Sequence, residues 1–185
     1  MATSRAATKE KSDGERRKVA RAFTTRLDLA HEKREELQGL LNARLADAVD
    51  LYAQTKQAHW NVKGPNFYQL HLLFDDLAET VEGHVDLFAE RVTALGGTAR
   101  GTVRQVAKRS SLPEFPEDLD EDLAFVEALA DRFGDYGNNL REAIDRADDL
   151  NDKGTADILT EAVREADKAL YFLEAHLRGV AAPKA

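Results

Sequence analysis

The 185-residue sequence has no cysteine and a single methionine, Met1. That excludes disulfide scaffolds, thiolate-bound zinc, iron–sulfur clusters and cysteine nucleophiles. Thiols and thioethers are also the side chains that peroxide attacks first, so their near-absence leaves Trp60 and four tyrosines as the traps for stray radicals. No apolar run is long enough to span a bilayer, and the opening MATSRAATKEKSDGERRK lacks the apolar centre of a secretory signal. The expectation is a cytoplasmic chain without membrane contact. Hydrophobic residues make up 43% of the sequence, enough at this length for one domain with a sizeable core.

Charge is unevenly spread over a chain of formal net charge −8. Residues 1–26 carry Arg5, Lys9, Lys11, Arg16, Arg17, Lys18, Arg21 and Arg26 against Glu10, Asp13 and Glu15, a net of +5 that leaves −13 for the rest. A basic arm thus precedes an acidic body. Both a solvated terminus and a nucleic-acid contact fit such an arm. Only Phe23 interleaves with its charges, so any contact would be made to phosphate and would read no sequence.

Proline and glycine are sparse, four and eleven residues, and between them apolar side chains recur every three or four positions, the helical period. The spacing predicts an all-helical chain. A first helix runs over Leu27–Asn61, with Leu37, Leu41, Leu45, Val49 and Tyr52 on one stripe, and stops at Lys63-Gly64-Pro65. A second starts after Asn66 as N-cap and ends at Gly96-Gly97. Thr98–Pro116 form a connection with one short helix over Val103–Lys108. The acids Glu117, Asp118, Asp120, Glu121 and Asp122 form the first turn of a third long helix that reaches Asp149. Asn151–Gly154 turn the chain into a fourth, ending near Arg178-Gly179. One long connection among short ones suits a ferritin-like four-helix bundle with a crossover between its second and third long helices. The division is a basic arm over 1–26, the bundle over 27–179 and a short tail over 180–185.

Hard and borderline metal ligands gather in the first two helices: His59, His71, Asp75, Asp86 and Glu90. At 100° per residue the last four fall at about 0°, 40°, 60° and 100°, one stripe of the second helix. Glu79 and Glu82 share that stripe, so periodicity alone does not choose among the acids. The pairs His71/Asp75 and Asp86/Glu90 lie 15 residues apart, roughly 22 Å of rise, too far to reach one ion from one helix. If all four are ligands, two copies of the helix lie antiparallel across a two-fold axis, crossing near Thr80 and Val81, and each dimer holds two equivalent sites. The rival, an intrachain di-iron site, uses Glu-x-x-His pairs, and none occurs; Asp28-Leu-Ala-His31 is the nearest approach.

The run Lys56-Gln-Ala-His59-Trp60-Asn-Val-Lys-Gly-Pro-Asn-Phe67, then Leu70-His71 with Asp75, then His84-Val-Asp86 with Ala89-Glu90-Arg91 and Leu95-Gly-Gly97, resembles the Dps mini-ferritins, the DNA-binding proteins from starved cells. The resemblance continues through Thr155–Thr160 and Leu170–Glu174. It implies a hollow homododecamer with ferroxidase sites at two-fold interfaces, His59, His71 and Asp75 from one chain and Asp86 and Glu90 from its partner. It places Trp60 beside the site, where a core aromatic at a helix end is the competing reading. It further implies Fe(II) oxidation preferentially by hydrogen peroxide, deposition of a ferric oxide mineral, and nucleoid association with protection of DNA. Asp149, Asp152 and Asp157 correspond to the family's three-fold pore region, with helix capping as their alternative role. Competing functions are a manganese-catalase-like protein, which needs the intrachain site that is missing, and a DNA-compacting architectural protein with little metal activity.

Overall fold

The computed structural model describes residues 25–178. The arm cations Arg5, Lys9, Lys11, Arg16, Arg17, Lys18 and Arg21, the tail over 180–185 and the predicted stop at Gly179 lie outside them. Five helices follow in order: α1 His31–Asn61, α2 Phe67–Ala94, α3 Val103–Val106, α4 Asp122–Asp149 and α5 Lys153–Leu177. The four long ones form the ferritin-like bundle.

α1 packs along α2 and α4 along α5, with thinner seams from α1 to α4 and from α2 to α5. The stripe read from the sequence faces inward: Leu37, Leu41 and Leu45 are buried, with Val49 and Tyr52 packed at their margin. Phe74 and Phe88 from α2, Phe133 and Tyr136 from α4, and Leu159 and Leu173 from α5 fill the space between. α2 ends in a left-handed Gly96 (φ 86°), where the Gly97 N–H reaches back to Val92 O at 2.9 Å. α4 ends the same way, on Asn151 (φ 60°) with the Asp152 N–H on Ala147 O at 3.0 Å. Glycine or asparagine is needed at both places because the left-handed conformation crowds a larger β-carbon.

The start of α1 tethers the far ends of its neighbours. Lys33 Nζ donates to Leu150 O at 2.9 Å and Gln38 Nε2 to Leu95 O at 2.9 Å, so side chains of α1 satisfy carbonyls exposed at the ends of α4 and α2. The helix therefore begins at His31, four residues later than its apolar pattern predicts. The Arg34 side chain turns back onto Leu29 O at 3.1 Å, and Ala30 is extended (ψ 147°). Two other boundaries also yield to tertiary contacts. The acids 117–121 precede α4, because Asp122 turns its carboxylate to the Asn66 N–H at 2.9 Å and Glu121 stays extended. α3 ends at Val106, because Ser110 is drawn to Asp50 at 2.5 Å and the Ser111 N–H to the buried Asp47 at 2.8 Å.

One buried polar chain crosses the bundle. His84 Nε2 lies 2.8 Å from Glu165 and its Nδ1 lies 3.1 Å from the Tyr136 hydroxyl. Burial pushes the His84 imidazole below its ordinary 6.5, against the pull of Glu165. The ring is neutral at neutral pH: Nε2–H donates to the carboxylate, which can only accept, and Nδ1 accepts from Tyr136.

The α1–α2 turn is clamped by the start of α4. Gly64 has φ +136°, and a Cβ there would lie 2.8 Å from Asp122 Oδ2. Gly64→Ala meets both the unfavourable dihedral and the clash, so the expected outcome is a loss of about 2 kcal/mol in thermal or denaturant unfolding. An unchanged melting temperature would show that the turn is not held this way.

Candidate metal centre

His59 stands in the last turn of α1 and His71 in the second turn of α2, on either side of the clamped turn. Their rings stack with centroids 3.8 Å apart and planes 20° from parallel. Each ring is bonded to the other residue's backbone: His59 Nδ1 to His71 O at 2.8 Å, and His71 Nδ1 to His59 O at 2.9 Å. A carbonyl only accepts, so both Nδ1 atoms carry the proton, and in the neutral rings both Nε2 atoms present lone pairs. That is the tautomer a metal-binding imidazole needs, fixed by hydrogen bonds outside the ligand set. The bond to His59 O also satisfies one of the carbonyls that a helix end leaves without an intrahelical partner.

Asp75, one turn beyond His71, places Oδ1 3.9 Å from His59 Nε2. Lys56, one turn before His59, holds the same oxygen at 2.5 Å. The Lys56 hydrogen bond is the main reason that the Asp75 carboxyl lies below its ordinary 3.8, with the two imidazoles contributing. Lys56 escaped the sequence reading, although its i, i+3 relation to His59 is a usable signal. Phe67 covers one side of the pair, its ring centroid 5.1 Å from that of His71.

Asp86 and Glu90 lie farther along α2, exposed and one turn apart. The described residues of a single chain thus bring His59, His71 and Asp75 together and leave Asp86 and Glu90 apart. Among them, no group of three or more histidine and acidic side chains is close enough to hold a metal ion. One chain offers two incomplete halves. Glu79 and Glu82, which share the stripe, are exposed as well.

Trp60 is 68% exposed, which removes the core-aromatic alternative, and Phe67, Tyr68 and Leu72 at the start of α2 are exposed as well. The three aspartates near α5 divide. Asp152 is buried, with Arg91 Nη2 2.8 Å from both of its oxygens and Thr155 Oγ1 donating to it at 2.5 Å. Burial opposes its ionisation, yet the Thr155 and Arg91 bonds hold it below its ordinary 3.8. Asp149 and Asp157 face solvent. No helix among the described residues is long and apolar enough to cross a membrane.

A family model for the ferritin-like domain matches residues 38–181. A DNA protection during starvation protein of Agrobacterium fabrum is 43% identical over 154 residues, covering 83% of this chain and 95% of that protein. Among solved structures, the tetragonal form of Mycobacterium smegmatis Dps has a TM-score of 0.81 at 30% identity, covering 85% of this chain and 94% of that one. A Dps protein from Vibrio cholerae O1, described as a member of a broad superfamily of ferritin-like diiron-carboxylate proteins, has a TM-score of 0.78 at 25% identity, covering 84% and 97%.

Lys56 and Asp75 supply a test of the local electrostatics. A carboxyl with a lowered folded-state pKa contributes stability that is present above its unfolded value and lost as pH falls through the folded one. Lys56→Met removes the chief cause of the lowering, so Asp75 titrates closer to 3.8. Carbon-detected NMR titration of the aspartate side chains reads the rise; no movement would show that the pair does not persist in solution.

Proposed function

The chain belongs to the Dps family of ferritin-like proteins, and from that membership we propose that it oxidises Fe(II) at sites shared between two-fold-related chains. His59, His71 and Asp75 of one chain face Asp86 and Glu90 of the other, and the product is stored as ferric mineral inside a homododecamer. The observation that carries this reading is the preset pair of imidazoles. Two Nε2 lone pairs and an adjacent carboxylate are left free of the Nδ1 bonds in one chain, while Asp86 and Glu90, without a side-chain partner among the described residues, stand roughly 22 Å farther along α2. An antiparallel pairing of α2 across a two-fold axis converts two incomplete halves into two complete sites.

The donor set fits iron as substrate. Imidazole and carboxylate without thiolate suit Fe(II), and the carboxylates stabilise the higher charge of Fe(III). Lys56 must release Asp75 as iron enters, so it holds the carboxylate ionised beforehand and yields its place to the metal. With hydrogen peroxide as oxidant, two Fe(II) each give one electron, the O–O bond is cleaved and two hydroxides form, so no hydroxyl radical is released. Trp60, exposed beside the site, is placed to intercept stray oxidant. Exposed Asp149 and Asp157 would draw cations toward a pore, whereas Asp152 ties α2 to the start of α5 through Arg91.

Protection of DNA follows from removing Fe(II) and peroxide together, and the Agrobacterium relative carries that role in its name. The arm cations Arg5, Lys9, Lys11, Arg16, Arg17, Lys18 and Arg21 would add non-specific phosphate contacts, weakening as salt rises. A cytoplasmic, nucleoid-associated location agrees with both.

Anaerobic Fe(II) titration followed by stopped-flow mixing tests the oxidation chemistry. The wild type is expected to oxidise two Fe(II) per peroxide, faster than with dioxygen. Asp86→Asn with Glu90→Gln removes two proposed ligands and is expected to cut the rate by more than about tenfold, the lower end of what loss of a single hydrogen-bonding partner behind a ligand costs, without changing the mass of the assembly. Full iron binding by that variant would remove the partner's carboxylates from the site, and equal rates with the two oxidants would remove the peroxide preference.

A further inference from the structure

The crossover between α2 and α4 carries a charge pattern unlike the rest of the body. Residues 98–113 contain Arg100, Arg104, Lys108 and Arg109 and no acidic side chain, within the part of the chain whose net charge is −13. All four are exposed. Most cations of the bundle are engaged: Arg44, Lys56, Arg91, Arg141, Arg146 and Lys153 are in ion pairs, and Lys33, Arg34 and Arg132 donate to carbonyls. Among the described residues none of the four crossover cations is in an ion pair, and their one side-chain bond is a long contact of 3.4 Å from Arg109 to Gln105 O.

The acids beneath this strap do not neutralise it, because they are already used from the inner side. Asp47 is buried and takes Arg44 at 3.0 Å and the Ser111 N–H at 2.8 Å, while Asp50 takes the Ser110 hydroxyl. The same bonds make the strap a fixed platform. Asn42 holds its entry from both sides, donating to Thr98 O at 3.2 Å and accepting the Arg100 N–H at 2.9 Å, and Val106 is buried against the bundle. Arg104 lies on α3, and Lys108 and Arg109 lie in the turn that follows it.

We propose that this crossover strap is a phosphate-contact surface for duplex DNA on the folded body, separate from the basic arm. It rests on the DNA-protecting part of the function proposed above and gives it a site. Four unpaired cations on a rigid support suit a duplex that carries one negative charge per about 1.7 Å of axis, because the backbone that carries them need not be ordered on binding. Arginine and lysine reaching phosphates position a duplex without reading its sequence. An anionic membrane fits less well. Val103, 80% exposed, is the strap's single exposed large apolar side chain, and membrane-surface helices need a continuous apolar face.

The test is a salt series of binding to a short labelled duplex, made with the intact full-length chain, with R100Q/R104Q/K108Q/R109Q, and with the milder R104Q/K108Q. The milder pair touches no bonded side chain and keeps the comparison open if the fourfold variant assembles poorly. Both variants are expected to oxidise iron normally. The fourfold variant is expected to bind at least tenfold more weakly at low salt. It should also flatten the log–log salt slope by at least about 2, each lost phosphate contact accounting for about 0.9. A wild type that binds while the variants bind identically overturns the strap and leaves the arm as the contact. A wild type that binds no duplex at any salt overturns both readings. Loss of binding to anionic vesicles with duplex binding unchanged overturns the strap as a DNA surface in favour of a membrane.

Discussion

The reciprocal bonding of two imidazoles is the constraint on which the proposed chemistry depends. Each ring spends its Nδ1 proton on the other residue's carbonyl, at 2.8 and 2.9 Å, so neither Nε2 can be protonated without charging the ring. The rings stack 3.8 Å apart, and in the neutral form each leaves an Nε2 lone pair free to act as a donor. The arrangement needs the end of α1 and the start of α2 in a fixed relation. Gly64 supplies it by a left-handed turn against Asp122, whose carboxylate also takes the Asn66 N–H. The Asp122 carboxylate at the start of α4 thus holds the turn that sets the two imidazoles against each other.

Charge is arranged at two scales. Within the bundle, carboxylates that would be costly to bury are satisfied individually: Asp47 by Arg44 and Ser111, Asp152 by Arg91 and Thr155. Outside it, the exposed face of α2 keeps Asp76, Glu79, Glu82, Asp86 and Glu90 open to solvent. In the proposed antiparallel pairing, a helix face so acidic would repel a second copy of itself unless cations intervene, so filling the shared sites and associating the chains would support one another.

Much of this was legible in the residues, and the failures share one physical cause. Leu37, Leu41 and Leu45 keep a strict helical spacing and all became core, since burial of a stripe depends on periodicity alone. Axial rise separated His71 and Asp75 from Asp86 and Glu90, and the structure leaves these two groups apart. Features decided between distant segments were not visible. The stacked imidazoles depend on closure of a turn. The spacing of Lys56 from His59 marks it as a neighbour, but the carboxylate it holds is decided only when α2 brings Asp75 beside it. Asp152 reads as a pore acid or a helix cap until Arg91 arrives from 61 residues away. The acids 117–121 suit a helix start by dipole arguments, but Asp122 was worth more to Asn66 across the bundle than those acids were to a longer helix.

Co-assembly of two inactive variants tests the shared site most directly. One carries H59A/H71A and the other D86A/E90A, so neither alone can complete a site. In a mixed two-fold pair one site regains every ligand and the other keeps only Asp75. Random mixing in equal amounts should therefore restore roughly a quarter of wild-type iron oxidation per chain. Activity no greater than that of the separate variants would contradict a site built from two chains.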